Sequence, residues 1–186
     1  SGLVNVVRGG RFMKRTIVLA SHHRLAEGLK DTLDFISGGG QDIVTLAAYL
    51  DNQPVEKQVD EVMTAFSADR DVVVLTDMTA GSVNQKFFKY RTRPHTHIIS
   101  GMNLPLALGV AMEPADQYIS DARIDALIQE AKDAIVNVNE IQVEEDDDDE
   151  DEDMDIDEDE DEEEDVQDED YDDDDIIDLN DMLLVC

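Results

Sequence analysis

Apolar and polar positions follow two different repeats along this chain. Short runs rich in β-branched residues, such as 16–20 (TIVLA) and 71–75 (DVVVL), are typical of strands that are buried on both faces. Between such runs, apolar residues return every three or four positions, which predicts helices with one apolar face. The predicted strands cover residues 16–20, 42–47, 71–75 and 97–100, and the predicted helices cover 25–36, 55–66, 81–88, 104–112 and 124–135.

Strands that alternate with helices predict an α/β fold. Right-handed crossover connections then give a mainly parallel sheet with helices on both faces, which is a three-layer αβα arrangement. Residues 136–143 (VNVNEIQV) partly alternate and are predicted as a further strand at the edge of the sheet. In parallel sheets of this kind, functional sites form beyond the carboxyl ends of the strands.

Charge divides the chain into unequal parts. The net charge is −33, but 27 of the 32 residues in 144–175 are Asp or Glu, and residues 1–143 carry a net charge of only −4. We therefore expect a folded domain over 13–143, long enough to bury a core, and a disordered acidic tail over 144–175. Residues 1–12 are expected to be a leader or upstream extension, and residues 176–186 a short apolar C-terminal segment.

Composition also excludes several functions. A basic nucleic-acid-binding surface is not expected at this charge. No apolar run approaches the roughly 18 residues of a membrane span, and the N-terminus lacks the long apolar stretch of a signal peptide. The single cysteine, Cys186, excludes an intramolecular disulfide and a CxxC metal site, and His95 with His97 would supply only two metal ligands. We expect a cytoplasmic protein with no cofactor and no bound metal.

Chemically useful side chains follow two of the predicted strands. His22 follows the first strand and Asp77 follows the third, so the two would meet if these strands are neighbours. A neutral imidazole can attack an electrophile with one nitrogen while the other donates its N–H to a carboxylate. Gly81 and Ser82 open the next helix and offer backbone N–H groups and a hydroxyl to a phosphate. Further phosphate-cradling candidates are Ser21 and Thr79.

Each of these residues also has an ordinary structural interpretation. A single histidine after a strand is more often a surface residue, and an aspartate after a strand is commonly a helix cap. A Gly-Ser pair alone is a weak signal. The functional interpretation therefore depends on the combination, with all three features at the expected ends of their strands.

Three motifs resemble those of the mannose-family enzyme IIA of the bacterial phosphoenolpyruvate-dependent sugar phosphotransferase system, and they occur in the same order as in that family. They are 16–28 (TIVLASHHRLAEG), 75–85 (LTDMTAGSVNQ) and 99–106 (ISGMNLPL), and the resemblance covers Met13 to about Val143. His23 departs from the family pattern, because a small residue, often glycine, is frequent there.

The resemblance implies a function and a set of partners. In that family, a histidine in the first motif accepts a phosphoryl group from the histidine phosphocarrier protein and passes it to enzyme IIB. By position, His22 would be the phosphoryl acceptor, Asp77 would orient it, and Ser82 would place a hydroxyl beside it. The family forms homodimers through a C-terminal strand, a role that 136–143 would fill. Enzyme IIB would be a separate protein, and contact with the membrane would be indirect, through the IIC/IID permease.

Two other functions remain open at this point. The phosphocarrier subunit of a phosphoenolpyruvate-dependent dihydroxyacetone kinase shares the fold and a Ser-His motif, although 81–85 and 101–105 resemble the transporter family more. A non-catalytic binding module that works through the acidic tail is the other alternative. The transported sugar cannot be read from this chain, because selectivity belongs to the membrane subunits.

Overall fold

A four-stranded parallel sheet with helices on both faces forms the protein in a computed structural model, which describes residues 15–143. The strands are β1 (Arg15–His22), β2 (Asp42–Ala48), β3 (Asp71–Thr76) and β4 (Thr96–Ser100). The helices are α1 (Leu25–Ser37), α2 (Val55–Thr64), α3 (Ser82–Phe87), α4 (Leu104–Ala111) and α5 (Asp121–Asp133), with a 3-10 turn at Phe88–Tyr90. The predicted α/β class with helices on both faces is confirmed.

Local signals in the sequence explain where the helices begin and end. α1 ends at Gly38, which adopts a left-handed conformation (φ +78°) that glycine accepts without strain. The side chain of Asn103 caps α4 by accepting from the Leu106 N–H. Ser120 caps α5 in the same way, accepting from the Arg123 N–H, and α5 therefore begins three residues before the apolar pattern predicted.

The order of the strands is β2-β1-β3-β4, with every neighbouring pair parallel. β1 therefore lies between β2 and β3, as an acid–base pair at the ends of strands one and three requires. The register pairs His22 with Ala48 of β2, and Ala20 with Thr76 of β3. The carboxyl ends of three strands are thus brought to one edge of the sheet.

Apolar side chains on the two faces of the sheet form two separate cores. Alternate residues of a strand point to opposite faces, so Leu19 packs on one side and Val18 on the other. The first core joins the sheet to α1, α4 and α5, and the second joins it to α2 and α3. β3 is buried along its whole length, because its alternating side chains pack into both cores.

The strand predicted over 136–143 is not present in this chain. The described residues fall into two compact units, the first ending at Ile135 and the second beginning at Val136. Within the second unit, Val138–Glu140 form a 3-10 turn, in which Glu140 N–H donates to the carbonyl of Asn137. A strand needs a neighbouring strand to satisfy its backbone hydrogen bonds, and residues 136–143 belong to no sheet in the described part of the chain. The leader, the acidic tail and the apolar C-terminal segment lie outside the described residues.

Candidate functional site

His22, Asp77 and Ser82 meet at the carboxyl edge of the sheet. His22 is the last residue of β1, Asp77 follows β3 directly, and Ser82 is the first residue of α3. The His22 Nδ1 atom lies 2.7 Å from Asp77 Oδ2, and the His22 Nε2 atom lies 3.1 Å from Ser82 Oγ. The structure therefore brings together the three residues on which the sequence interpretation depended.

Asp77 is held by three hydrogen bonds. Its Oδ2 atom accepts from both the backbone N–H and the ring of His22, each at 2.7 Å, and its Oδ1 atom accepts from the Met78 N–H at 2.9 Å. Burial alone would raise the pKa of Asp77, but the hydrogen bonds from His22 and Met78 outweigh it and lower the pKa below its ordinary value. The group is therefore a carboxylate at neutral pH.

An ionised Asp77 determines which tautomer of neutral His22 is present. A carboxylate only accepts hydrogen bonds, so Nδ1 must carry the proton that is donated to Asp77. Nε2 then has a free lone pair, toward which the Ser82 hydroxyl donates. The side chain of His22 is 39% exposed, whereas that of Asp77 is 10% exposed, so the histidine is the more accessible member of the pair.

Gly81 allows the loop after β3 to approach the imidazole closely. A Cβ atom at this position would lie 2.8 Å from Met78 Cγ and 3.3 Å from His22 Cε1. A larger residue would therefore have to displace the Met78 side chain and would press on the imidazole ring. The same residue is the N-cap of α3, with extended backbone angles that direct Ser82 toward His22.

Tyr49 belongs to the site, and sequence reasoning missed it. Its hydroxyl lies 2.6 Å from Ser82 Oγ, and its ring stacks on the imidazole of His22 with a centroid distance of 5.5 Å and an interplanar angle of 28°. Tyr49 is the first residue after β2, so the strand-end rule that selects His22 and Asp77 would have selected it too.

Two predicted cradle residues occupy other positions. Ser21 is fully buried, and its hydroxyl accepts from the Ala26 N–H and donates to the His23 carbonyl. It secures the start of α1 and has no exposed surface for a phosphate. The Thr79 hydroxyl pairs with Ser100 Oγ at 2.5 Å, which ties the loop after β3 to the end of β4.

The backbone at His23 adopts a conformation that suits a small residue such as glycine. His23 has φ +52°, in the left-handed region that glycine adopts most easily. Its backbone N–H donates to the Ala48 carbonyl, which fixes the turn, and its side chain is exposed. The geometry around Asp77 therefore involves His22 and not its neighbour.

The other two histidines of the chain lie elsewhere. His95 stacks on Tyr118 with a centroid distance of 3.5 Å, and His97 Nε2 lies 2.8 Å from Asp121 Oδ1. Within residues 15–143, no group of three or more His, Cys, Asp or Glu side chains is arranged to hold a metal ion.

A cavity of about 630 Å³ lies at the opposite edge of the sheet, where the strands begin. Its charged lining residues already have partners. Arg15 donates to Asp71 at 2.9 Å and to the Glu113 carbonyl at 3.0 Å, and Arg70 pairs with Asp42. The first pair joins β1 to β3, and the second joins the start of β2 to the residue before β3.

A family model and solved structures both relate this chain to sugar phosphotransferase components. The sequence model of the EIIA-man family, described as PTS system fructose IIA component, matches residues 16–132. No protein of curated function matches the chain significantly. None of the helices in the described residues is long and apolar enough to cross a membrane.

Solved structures show the same similarity. A protein from Klebsiella pneumoniae described as a phosphoenolpyruvate-dependent sugar phosphotransferase system permease is 35% identical, with a TM-score of 0.65, and the alignment covers 70% of this chain and 95% of that one. The mannose/sorbose-specific IIA subunit from Enterococcus faecalis is 22% identical with a TM-score of 0.58, covering 70% of this chain and 99% of that one. The latter similarity shows the shared fold.

The lowered pKa of Asp77 predicts a pH-dependent contribution to stability. A carboxyl group whose pKa is lower in the folded than in the unfolded state stabilises the fold above its unfolded pKa, about 3.9, and loses that contribution as the pH falls through the folded value. The free energy of unfolding of Asp77→Asn is therefore expected to lie furthest below that of the wild type near pH 7, with a smaller gap near pH 3. Urea unfolding at both pH values measures this, and a gap that does not change with pH would contradict it.

Proposed function

Because the chain belongs to the PTS system fructose IIA component family, we propose that it is the phosphoryl-carrier subunit of a sugar-uptake phosphotransferase system, with His22 as the carrier. Membership of the family assigns the chain to phosphoryl transfer in general. The observation that supports His22 is its position between an ionised acceptor, Asp77, and a hydroxyl donor, Ser82.

The transfer step uses the free lone pair of His22 Nε2. This lone pair attacks the phosphorus of a phosphohistidine on the donor, a new N–P bond forms, and the donor's N–P bond breaks with its electron pair returning to the donor nitrogen. The His22 ring becomes cationic while Nδ1 keeps its proton. The carboxylate of Asp77, 2.7 Å away, stabilises that cation without taking the proton.

Ser82 has a different role before and after transfer. In the free protein its hydroxyl donates to Nε2. Once Nε2 is bonded to phosphorus, the lone pair is gone and the hydroxyl can donate to a phosphoryl oxygen. The first backbone N–H groups of α3, beginning with that of Ser82 beside Gly81, have no acceptor within their own helix and are available to the same oxygens.

An exposed His22 suits transfer between proteins. We propose that the donor is the histidine phosphocarrier protein and that the acceptor is an enzyme IIB, after which the IIC/IID permease would use the phosphoryl group during uptake. This role places the protein in the cytoplasm. The similarities to known proteins are to sugar phosphotransferase components and do not favour the dihydroxyacetone kinase alternative.

Phosphorylation of His22 is the first expected outcome. Incubation with phosphoenolpyruvate, enzyme I and the phosphocarrier protein is expected to add one acid-labile, base-stable phosphate to the wild type and none to His22→Ala. His23→Gly is the matched control, because glycine suits the left-handed backbone at that position, and it is expected to be labelled normally. Label that persists in His22→Ala and is lost in His23→Gly would refute the assignment.

Loss of the Asp77 charge is expected to slow transfer without unfolding the protein. An amide at this position can present its N–H₂ group to Nδ1 and thereby favour the wrong tautomer, so we expect Asp77→Asn to slow the transfer by a factor on the order of 10² or more. Rapid-quench measurement of the phosphoryl transfer rate tests this. Asp121→Asn, which alters the contact with His97 elsewhere, is the control and should leave the rate unchanged. An unaltered rate in Asp77→Asn would remove Asp77 from the mechanism.

The homodimer remains a proposal of its own. β4 lies at the edge of the sheet, with β3 as its only strand neighbour among residues 15–143, and an open edge favours pairing with another chain. If segment 136–143 joins two subunits, a chain ending at Ile135 is expected to be a monomer or to aggregate, whereas one ending at Val143 stays a dimer. Sedimentation velocity distinguishes the two, and a well-behaved dimer after the shorter truncation would refute the idea.

A further inference from the structure

We propose that Tyr49 is a positioning residue of this site, which acts through Ser82 to orient the hydroxyl proton toward His22 Nε2 in the free protein and toward the phosphoryl group after transfer. The first half of this inference needs only the geometry of the free protein. The second half rests on the proposed function.

The direction of each hydrogen bond follows from the protons available. Ser82 has a single hydroxyl proton, and a neutral His22 with its proton on Nδ1 has only a lone pair at Nε2. At 3.1 Å from that lone pair, the Ser82 hydroxyl is the donor, so at its 2.6 Å contact with Tyr49 it must be the acceptor. The result is a chain of donors from Tyr49 through Ser82 to His22. Hydrogen bonds in such a chain polarise and strengthen one another.

The backbone at Tyr49 is strained in order to reach this position. Tyr49 has φ +67°, in the left-handed region that is unfavourable for a residue with a Cβ atom. Core packing does not offset the strain, since Tyr49 is 53% exposed. Strained residues of this kind cluster at functional sites, where the surrounding contacts hold them in place. Here the contacts that hold the side chain are those to His22 and Ser82.

Strand register explains why the residue that follows β2 can serve a site at the ends of β1 and β3. His22 pairs with Ala48, so Tyr49 is the next residue beyond the pair. The left-handed turn at Tyr49 lies beside the one at His23, whose N–H donates to the Ala48 carbonyl at 2.8 Å. β1 and β2 therefore end at the same level of the sheet, and the tyrosine ring lies against the imidazole.

Phosphorylation changes the acceptor of the hydrogen bond that Ser82 donates. When Nε2 is bonded to phosphorus, Ser82 has lost its acceptor, and its proton is free to meet a phosphoryl oxygen. A hydroxyl that accepts from Tyr49 is the stronger donor in that contact. The Tyr49–Ser82 hydrogen bond is present in both forms, so removing the tyrosine hydroxyl should disfavour phosphorylation only by the difference in cooperative strengthening, about twofold in the equilibrium constant.

Nitrogen-15 NMR of histidine-labelled, unphosphorylated protein tests the first half. Tyr49→Phe keeps the stacked ring and removes the hydroxyl. The Nε2 resonance of His22 is expected to move toward that of an imidazole nitrogen that accepts no hydrogen bond. The Nδ1 resonance is expected to stay unchanged, because its hydrogen bond to Asp77 is kept. Tyr118→Phe is the matched control, because it also loses one hydroxyl hydrogen bond, to the Asp69 carbonyl at the other edge of the sheet. An Nε2 resonance that is the same in Tyr49→Phe and wild type overturns the proposal.

A double-mutant cycle decides whether Tyr49 acts through Ser82. If it does, Tyr49→Phe has no further effect on the Nε2 resonance, or on the phosphorylation equilibrium with the phosphocarrier protein, once Ser82→Ala is present. Independent, additive effects of the two substitutions overturn the relay. A wild type that cannot be phosphorylated would refute the proposed function, and the resonance measurements on free protein would still decide the role of Tyr49.

Discussion

One carboxylate oxygen organises this site. Asp77 Oδ2 accepts from the backbone N–H and from the ring of His22, so a single atom connects the end of β3 to both the main chain and the side chain at the end of β1. The hydrogen bond from the backbone fixes the position of the His22 main chain, and the hydrogen bond from the ring fixes its tautomer. The free Nε2 lone pair, and with it the role of Ser82, follows from that one contact.

The surrounding fold keeps that contact in place from several directions. Gly81 lets the loop after β3 come within van der Waals distance of the imidazole, and Tyr49 covers another side of the ring. Three non-glycine residues with left-handed backbones, His23, Tyr49 and Ala80, lie in the loops at this edge. Such strain persists only where packing and hydrogen bonds determine the conformation, and the two buried cores below the edge provide that support.

The two edges of the sheet differ in how deeply their charged and polar groups are buried. At the edge where the strands begin, Arg15 and Asp71 are almost wholly buried and paired with each other. At the edge where they end, the His22 ring remains partly exposed, and its Nε2 atom contacts the Ser82 hydroxyl. The proposed carrier therefore lies where a partner protein can approach it, while the ion pairs at the other end hold the strands in register.

Local sequence signals determined the fold class, the positions of the strands and helices, and the pair His22 and Asp77. These depend on apolar periodicity and on the rule that parallel strands present their carboxyl ends together, both of which are properties of short segments. These signals could not show that Ser21 is buried and therefore unable to contact a phosphate, because its burial depends on the packing of α1. The segment 136–143 has a strand-like pattern, but a strand also needs a neighbour.

Only the tertiary structure could show the contribution of Tyr49. It enters the site because β2 pairs with β1 in a register that sets Ala48 beside His22, and because the backbone then turns into the left-handed region. Strand order, register and backbone strain arise from contacts between segments far apart in the chain. The sequence marks Tyr49 only as a residue that follows a strand, and its contacts with His22 and Ser82 depend on all three.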